Sequence, residues 1–183
     1  FRIEARKDRF GLIDTSGKLL TPIAFDKIFP FSEGIAKIMM NGKYGYIDAN
    51  QRTIVQPAYD NALDFSDGMA GVSMGKLWGF INKEGTQEII PMSPFVGSYK
   101  NGIAPASKDG KITYISKEGR LLVLPKYIFA SEFYNGMAII STDGKKKGII
   151  DANCKELVSE SYDDIQFLKK TDLCLLYTSD AAD

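Results

Sequence analysis

A period of 34 residues constrains this chain more than any other feature. Gly11-Leu12-Ile13-Asp14, Gly45-Tyr46-Ile47-Asp48, Gly79-Phe80-Ile81-Asn82, Thr113-Tyr114-Ile115-Ser116 and Gly148-Ile149-Ile150-Asp151 follow one another at steps of 34, 34, 34 and 35 residues. A second motif keeps the step: Phe31-Ser32-Glu33-Gly34-Ile35-Ala36, Phe65-Ser66-Asp67-Gly68-Met69-Ala70, Tyr99-Lys100-Asn101-Gly102-Ile103-Ala104 and Phe133-Tyr134-Asn135-Gly136-Met137-Ala138, with Phe167 opening a fifth copy. Pro22, Pro57, Pro91 and Pro125 mark a third position, followed by an aromatic and often an acid (Phe25-Asp26, Tyr59-Asp60, Tyr127, Tyr162-Asp163). Self-similarity at such a period means that each copy is one supersecondary unit, which buries its core only against its neighbours.

The Gly-aromatic-Ile-Asp segments are short, β-prone and bounded by turn residues, so they read as strands. Isoleucine holds the third position of all five, and Leu12, Tyr46, Phe80, Tyr114 and Ile149 hold the opposite face. A strand that is apolar on both faces is covered on both sides. The acid that closes it reads as the start of an Asx-type turn. A second strand (Lys18 to Leu20, Thr53 to Val55, Glu88 to Ile90, Leu121 to Leu124) is expected to stop at the proline, which cannot donate to a ladder. A third runs from each alanine, as in Ala36 to Met40, after a tight turn that ends in glycine. The expected fold class is all-β: tandem units of about three short antiparallel strands, stacked as an open β-repeat array or solenoid, with propeller-like closure as the alternative. No helical 3.6-residue period runs for a useful length. The glycine and alanine columns read as places where neighbouring units approach closely.

Composition narrows the function classes. Lys and Arg number 23 against 23 Asp and Glu, whereas a nucleic-acid or membrane-surface binder needs a basic excess. Histidine is absent, which removes Ser-His-Asp and Cys-His nucleophiles and imidazole metal sites. No run approaches the roughly 20 apolar residues that span a bilayer. The opening Phe1, with no signal segment before it, reads as the start of an internal fragment, so further repeats or other domains are expected outside it, and the compartment stays open between envelope, secreted and cytoplasmic. Cys174 to Asp183 resemble the in-frame translation of a transposon-derived sequencing adapter. The chain therefore reads as a repeat array over 1–173 and a non-native tail over 174–183, which leaves 23 bases against 21 acids and one cysteine, Cys154.

Trp78-Gly79-Phe80-Ile81-Asn82, preceded by Gly75-Lys76 and by Phe65-Ser66-Asp67-Gly68-Met69-Ala70, resembles the bacterial WG repeat, named for its Trp-Gly pair. Tyr44-Gly45-Tyr46-Ile47-Asp48 carries tyrosine in the tryptophan place, and Phe10-Gly11 continues the pattern. Ile112-Thr113 and Lys147-Gly148 depart from it. The resemblance covers four full units and a partial fifth of 1–173. It implies an all-β array with a binding role and no catalytic residues to carry over.

Several motifs invite chemistry. Gly71-Val72-Ser73-Met74-Gly75 matches the nucleophile elbow of serine hydrolases, but that motif needs a strand-to-helix turn and a histidine. The column Asp14, Asp48, Asn82, Ser116, Asp151 offers one short oxygen ligand per unit, too few for a calcium cage, and fits Asx turns. Asp26, Asp60 and Asp163 recur too regularly for a pair of carboxylates with distinct roles. Lys145-Lys146-Lys147 reads as a solvated turn. Phe10, Tyr44 and Trp78 fit packing between units or a recognition platform. The resulting expectation is a non-catalytic recognition or scaffold module that binds a protein or carbohydrate partner through repeat loops, without cofactor, metal or nucleic acid. The candidate recognition residues are Tyr44, Trp78, Tyr59, Asp60, Phe25 and Asp26. The alternatives are a hydrolase with paired carboxylates in an inter-repeat groove, or an accessory module of an enzyme outside the fragment.

Overall fold

A computed structural model describes residues 8–168 and 174–179. Among them are sixteen β-strands and no helix, and the chain divides into two compact halves, 1–91 and 92–183. In the first half, β1 (Lys27–Ser32), β2 (Ile35–Met40), β3 (Lys43–Asp48) and β4 (Thr53–Tyr59) form an antiparallel sheet in chain order. β5 (Asn61–Ala62), β6 (Met69–Met74), β7 (Leu77–Asn82) and β8 (Gln87–Ser93) form a second. A shorter pair, bridged at Phe10↔Phe25 and Ile13↔Leu19, precedes them.

In the second half, β9 (Ile103–Lys108) and β10 (Lys111–Ser116) make a third sheet, whose outer partners are reduced to the bridges Val96↔Ala106, Ile112↔Tyr127 and Ile115↔Leu121. β11 (Phe129–Ala130), β12 (Met137–Ser141), β13 (Lys147–Asp151) and β14 (Glu156–Tyr162) repeat the four-stranded order, and β15 (Asp164–Phe167) pairs with β16 (Cys174–Tyr177). The proposed tail thus supplies one strand of this last hairpin, while its residues 180–183 lie outside the described residues. No sheet closes on itself among the described residues.

Each complete unit has four strands where the sequence pattern suggests about three. The added strand is the segment that leads into the Phe-Ser motif: β1 has six residues and takes in Phe31-Ser32, whereas β5 and β11 have two each and carry no periodicity of their own. The strand before it also does not stop at proline: β4 runs through Pro57 and β8 through Pro91. Proline is tolerated there because β4 is an edge strand and bulges, its register against β3 shifting between Tyr44 and Tyr46. The tight turns are as the glycines suggest. Asn41 and Gly42 both have positive φ (52° and 76°) between β2 and β3, the signature of a type I′ hairpin.

The third strand of each sheet is covered on both faces. On one side Ile47 joins Ala36 and Ile38 against Leu12 and Phe25. On the other, Tyr46 packs with Phe65, Ala70, Val72 and Ile81 of the second sheet, its ring 5.0 Å from that of Phe65 and edge-on. In the second half Tyr114 meets Phe133 in the same way at 4.9 Å. These hydroxyls are satisfied across the gap between sheets: Tyr46 donates to the Leu63 carbonyl (2.6 Å) and Tyr114 to the Ser131 carbonyl (2.7 Å).

The glycine column has a different cause from the one its spacing suggests. A Cβ on Gly45 would lie 2.5 Å from the Val55 carbonyl oxygen and 2.7 Å from the Pro57 nitrogen, and one on Gly148 would lie 2.6 Å from the Val158 oxygen. The close approach is therefore inside one sheet, where the bulged fourth strand crosses the third, not between units. The third sheet shows the consequence of filling that position. Thr113 is wholly buried and donates its hydroxyl to the Val123 carbonyl, and there the fourth strand is reduced to two bridges.

Candidate functional site

The hairpin end of each sheet gathers the sequence candidates into a row. In the first sheet Lys27, Met39, Tyr44 and Tyr59 lie directly opposite one another across four strands. Phe10 faces Phe25, Ile112 faces Tyr127 and Lys147 faces Tyr162 in the same way. The column before the glycine and the column after the proline are thus cross-strand neighbours. Such pairs interact directly on a sheet face.

An ion pair brackets each of three rows. Arg9 meets Asp26, Lys43 meets Asp60 and Lys146 meets Asp163, each at 2.5 Å. The second oxygen of each acid accepts a backbone N–H: Gly42 on Asp26 (3.3 Å), Gly75 on Asp60 (2.6 Å) and Ser179 on Asp163 (2.6 Å). Asp60 therefore ties Lys43 of the first sheet to the β6–β7 turn of the second. The Lys43 hydrogen bond and then the Gly75 amide hold the Asp60 carboxyl below the usual carboxylate range. Lys146 and then Ser179 bring Asp163 down to about 2.

Phe25, Asp26, Tyr44, Tyr59 and Asp60 fall into two successive rows of the first half. Tyr44 and Tyr59 are both half-buried and pack against the inter-sheet core. Phe25 does the same toward Ala36 and Ile47. Trp78 stands in the Tyr44 place of the second sheet, half-buried and opposite Ser73. The candidates form a periodic series rather than one cleft.

A cluster beside Tyr44 escapes the periodic reading. Phe29 lies 6.0 Å from the Tyr44 ring. The Lys37 ammonium sits 4.5 Å from the Phe29 centroid and 5.9 Å from that of Tyr44, and Lys27 stands 4.9 Å from Phe29. Lys37 also donates to the Ala62 carbonyl (3.0 Å) and pairs with Asp64 (3.1 Å). Phe29 has no aromatic counterpart in the other units, since Leu63, Gly97 and Ser131 replace it, so no repeat marks it.

The remaining motifs resolve into structure. Asp48 accepts the amides of Asn50 and Arg52, Asn82 those of Glu84 and Thr86, and Asp151 those of Asn153 and Lys155, all within 3.0 Å. These are Asx turns, each built on one side-chain oxygen that accepts both amides. Ser73 is buried mid-strand and takes a hydrogen bond from Asn61, 3.2 Å away, which is no nucleophile elbow. Lys146 and Lys147 are neutralised by Asp163 and Asp164. No group of three metal-ligating side chains occurs among the described residues. No helix long and apolar enough to cross a membrane occurs among the described residues, which says nothing of membrane proteins that cross with strands.

The family model for the WG containing repeat matches residues 10–44, 44–78, 78–111 and 112–145. This chain belongs to the WG-repeat family. The matched period begins at Phe10, Tyr44, Trp78 and Ile112, the column that forms the hairpin-end rows. No curated protein matches this WG-repeat chain in sequence. Among solved structures it is similar to Hsv2 of Kluyveromyces lactis at 13% identity and a TM-score of 0.50, over 72% of this chain and 49% of that one. The WG-repeat chain thus spans about half the length of the Hsv2 structure. The computationally designed Ika4 protein aligns at 12% identity and TM-score 0.43, over 66% and 87% of the two chains. The extracellular domain of the putative one component system BT4673 from B. thetaiotaomicron aligns at 13% and 0.48, over 92% and 28%. The Hsv2 likeness speaks to fold alone.

Proposed function

We propose that this WG-repeat chain is a non-catalytic recognition module that holds a protein or carbohydrate partner on its hairpin-end rows. The supporting observation is that Tyr44 and Tyr59 form a cross-strand aromatic pair, braced by Lys43–Asp60 and repeated by Phe10–Phe25 and Arg9–Asp26. Half-buried tyrosine and tryptophan present a large apolar face together with a polar tip, which suits them to peptide or sugar contact. A catalytic reading has less support. A general acid needs a proton near neutral pH, whereas Lys43 and the Gly75 amide hold Asp60 ionised and engage both its oxygens.

Alanine variants at Tyr44, Tyr59 and Trp78, singly and together, test the proposal on a glycan array and by peptide binding. Loss of the wild-type ligands by variants that remain folded, with the melting temperature lowered because Tyr44 and Tyr59 also pack against the core, is the expected result. An array and peptide profile unchanged in the triple variant refutes it. Turnover of a glycan or ester panel that is lost in Asp60→Asn refutes the non-catalytic part.

A further inference from the structure

Three residues of the first half break the repeat and converge beside Tyr44. Phe29 stands where other units carry Leu63, Gly97 and Ser131, Lys37 where they carry Gly71, Pro105 and Ile139, and Asp64 where they carry Pro30, Ser98 and Glu132. Gly71, Pro105 and Ile139 are all buried, so packing between sheets does not call for an ammonium at that place. A departure that packing does not require marks a functional position.

Lys37 lies directly opposite the wholly buried Tyr46 on β3, and its own side chain is only 12% exposed. Its stem runs along the gap between sheets and its head reaches the rim. An ammonium so far from water is costly unless it is paired. The Ala62 carbonyl (3.0 Å) and Asp64 Oδ1 (3.1 Å) each face it, which engages two of its three hydrogens, and the Phe29 and Tyr44 rings flank it. Asp64 itself is 55% exposed, and its other oxygen, Oδ2, has no partner among the described residues. A fixed ammonium, an open carboxylate oxygen and two half-buried rings therefore share one rim.

We propose that Phe29, Lys37, Tyr44 and Asp64 form a subsite for one pyranose ring bearing vicinal hydroxyls. The C–H face of the sugar lies against the aromatic pair, one hydroxyl donates to Asp64 Oδ2, and its neighbour accepts the third Lys37 hydrogen. A peptide that adds as a strand has no place here, because β2 and β3 are each paired on both sides. The subsite rests on the recognition reading above and narrows its partner to carbohydrate.

An array of oligosaccharides built from hexoses, 6-deoxyhexoses and uronates, probed with the full chain, tests this. The Lys37→Met/Asp64→Asn double variant removes both charges together and keeps the lysine stem, so it should melt close to wild type. Phe29→Leu borrows the residue of the second unit. Glycans held by wild type are expected to bind each variant about tenfold or more weakly, and to weaken as much when one hydroxyl of the vicinal pair is replaced by hydrogen. If the double variant melts low, Phe29→Leu and the deoxy glycan decide. Glycans retained by both variants but lost by Tyr44→Ala overturn the subsite and leave the recognition reading in place. Binding of no glycan overturns the subsite; a random nonapeptide library that is then captured through Tyr44 keeps the recognition reading, and an empty library removes that as well. Peptides that need Lys37 and Asp64, with no glycan bound, show a protein contact and overturn the sugar subsite.

Discussion

Replacing Gly45 with alanine adds one methyl group at the point where β4 crosses β3. The new carbon would sit 2.5 Å from the Val55 oxygen, 2.7 Å from the Pro57 nitrogen and 2.9 Å from the Gln56 carbonyl carbon. All three are backbone atoms, so no side chain can swing aside, and the strand must retreat by roughly 1 Å to restore ordinary contact. Overpacking of this kind costs about 1–3 kcal/mol, and a rigid neighbour places Gly45→Ala near the upper end. Alanine recovers about 0.4–1 kcal/mol by restricting the unfolded chain, so the net loss is about 2 kcal/mol. For a chain of this size that lowers the melting temperature by about 4–8 °C. Urea melts followed by the fluorescence of the single tryptophan, Trp78, measure it within the same half of the chain. Gly148→Ala, with a 2.6 Å contact, should cost a similar amount, and Gly11→Ala, with nothing closer than 3.1 Å, less. A Gly45→Ala protein within 0.5 kcal/mol of wild type would refute the explanation of the glycine column.

Tyr46→Phe removes the bond to the Leu63 carbonyl and should cost about 1–2 kcal/mol in the same melt; no change would show that the carbonyl finds another partner. Burial pushes the hydroxyls of Tyr46 and Tyr114 well above their ordinary value of 10.0, and that of Tyr127 up to about 12. A raised folded value gives stability that is complete below about pH 10 and lost as pH climbs toward the folded value, so alkaline unfolding and phenolate absorbance should rise together. On the acid side, Glu33 feels burial upward, but Lys83 and the Gly68 and Asp67 amides outweigh it and hold it low, as partners do for Asp60. Their contribution is present above the ordinary carboxylate range and lost as pH falls through the folded values, so Glu33→Gln should flatten the acid limb of a stability–pH curve. We also propose that the tail is non-native: long-read sequencing of the gene should show a different continuation after Leu173, and contiguous coding of Cys174 to Asp183 refutes it.

The architecture was legible wherever one residue type repeats for one physical reason. Ile47, Ile81, Ile115 and Ile150 announce a strand covered on both faces because burial demands the same shape each time, and Asp48, Asn82 and Asp151 announce Asx turns. What stayed hidden depends on pairing partners that a single column does not contain. Gly45 is small because of Val55 and Pro57, ten and twelve residues on, and only the register shows that the clash lies within a sheet. β5 and β11, two residues each, are strands solely because β6 and β12 pair with them. The aromatic candidates were found by their columns, but the constant spacing from Tyr44 to Tyr59 and from Phe10 to Phe25 was the signal that they face one another. Phe29 and Lys37 belong to one unit only, so repetition could not expose them.

Native-state hydrogen exchange tests most directly the claim that every unit rests on a covered third strand. The account predicts the slowest amides in β3, β7, β10 and β13. Uniformly fast exchange in those four strands would contradict it.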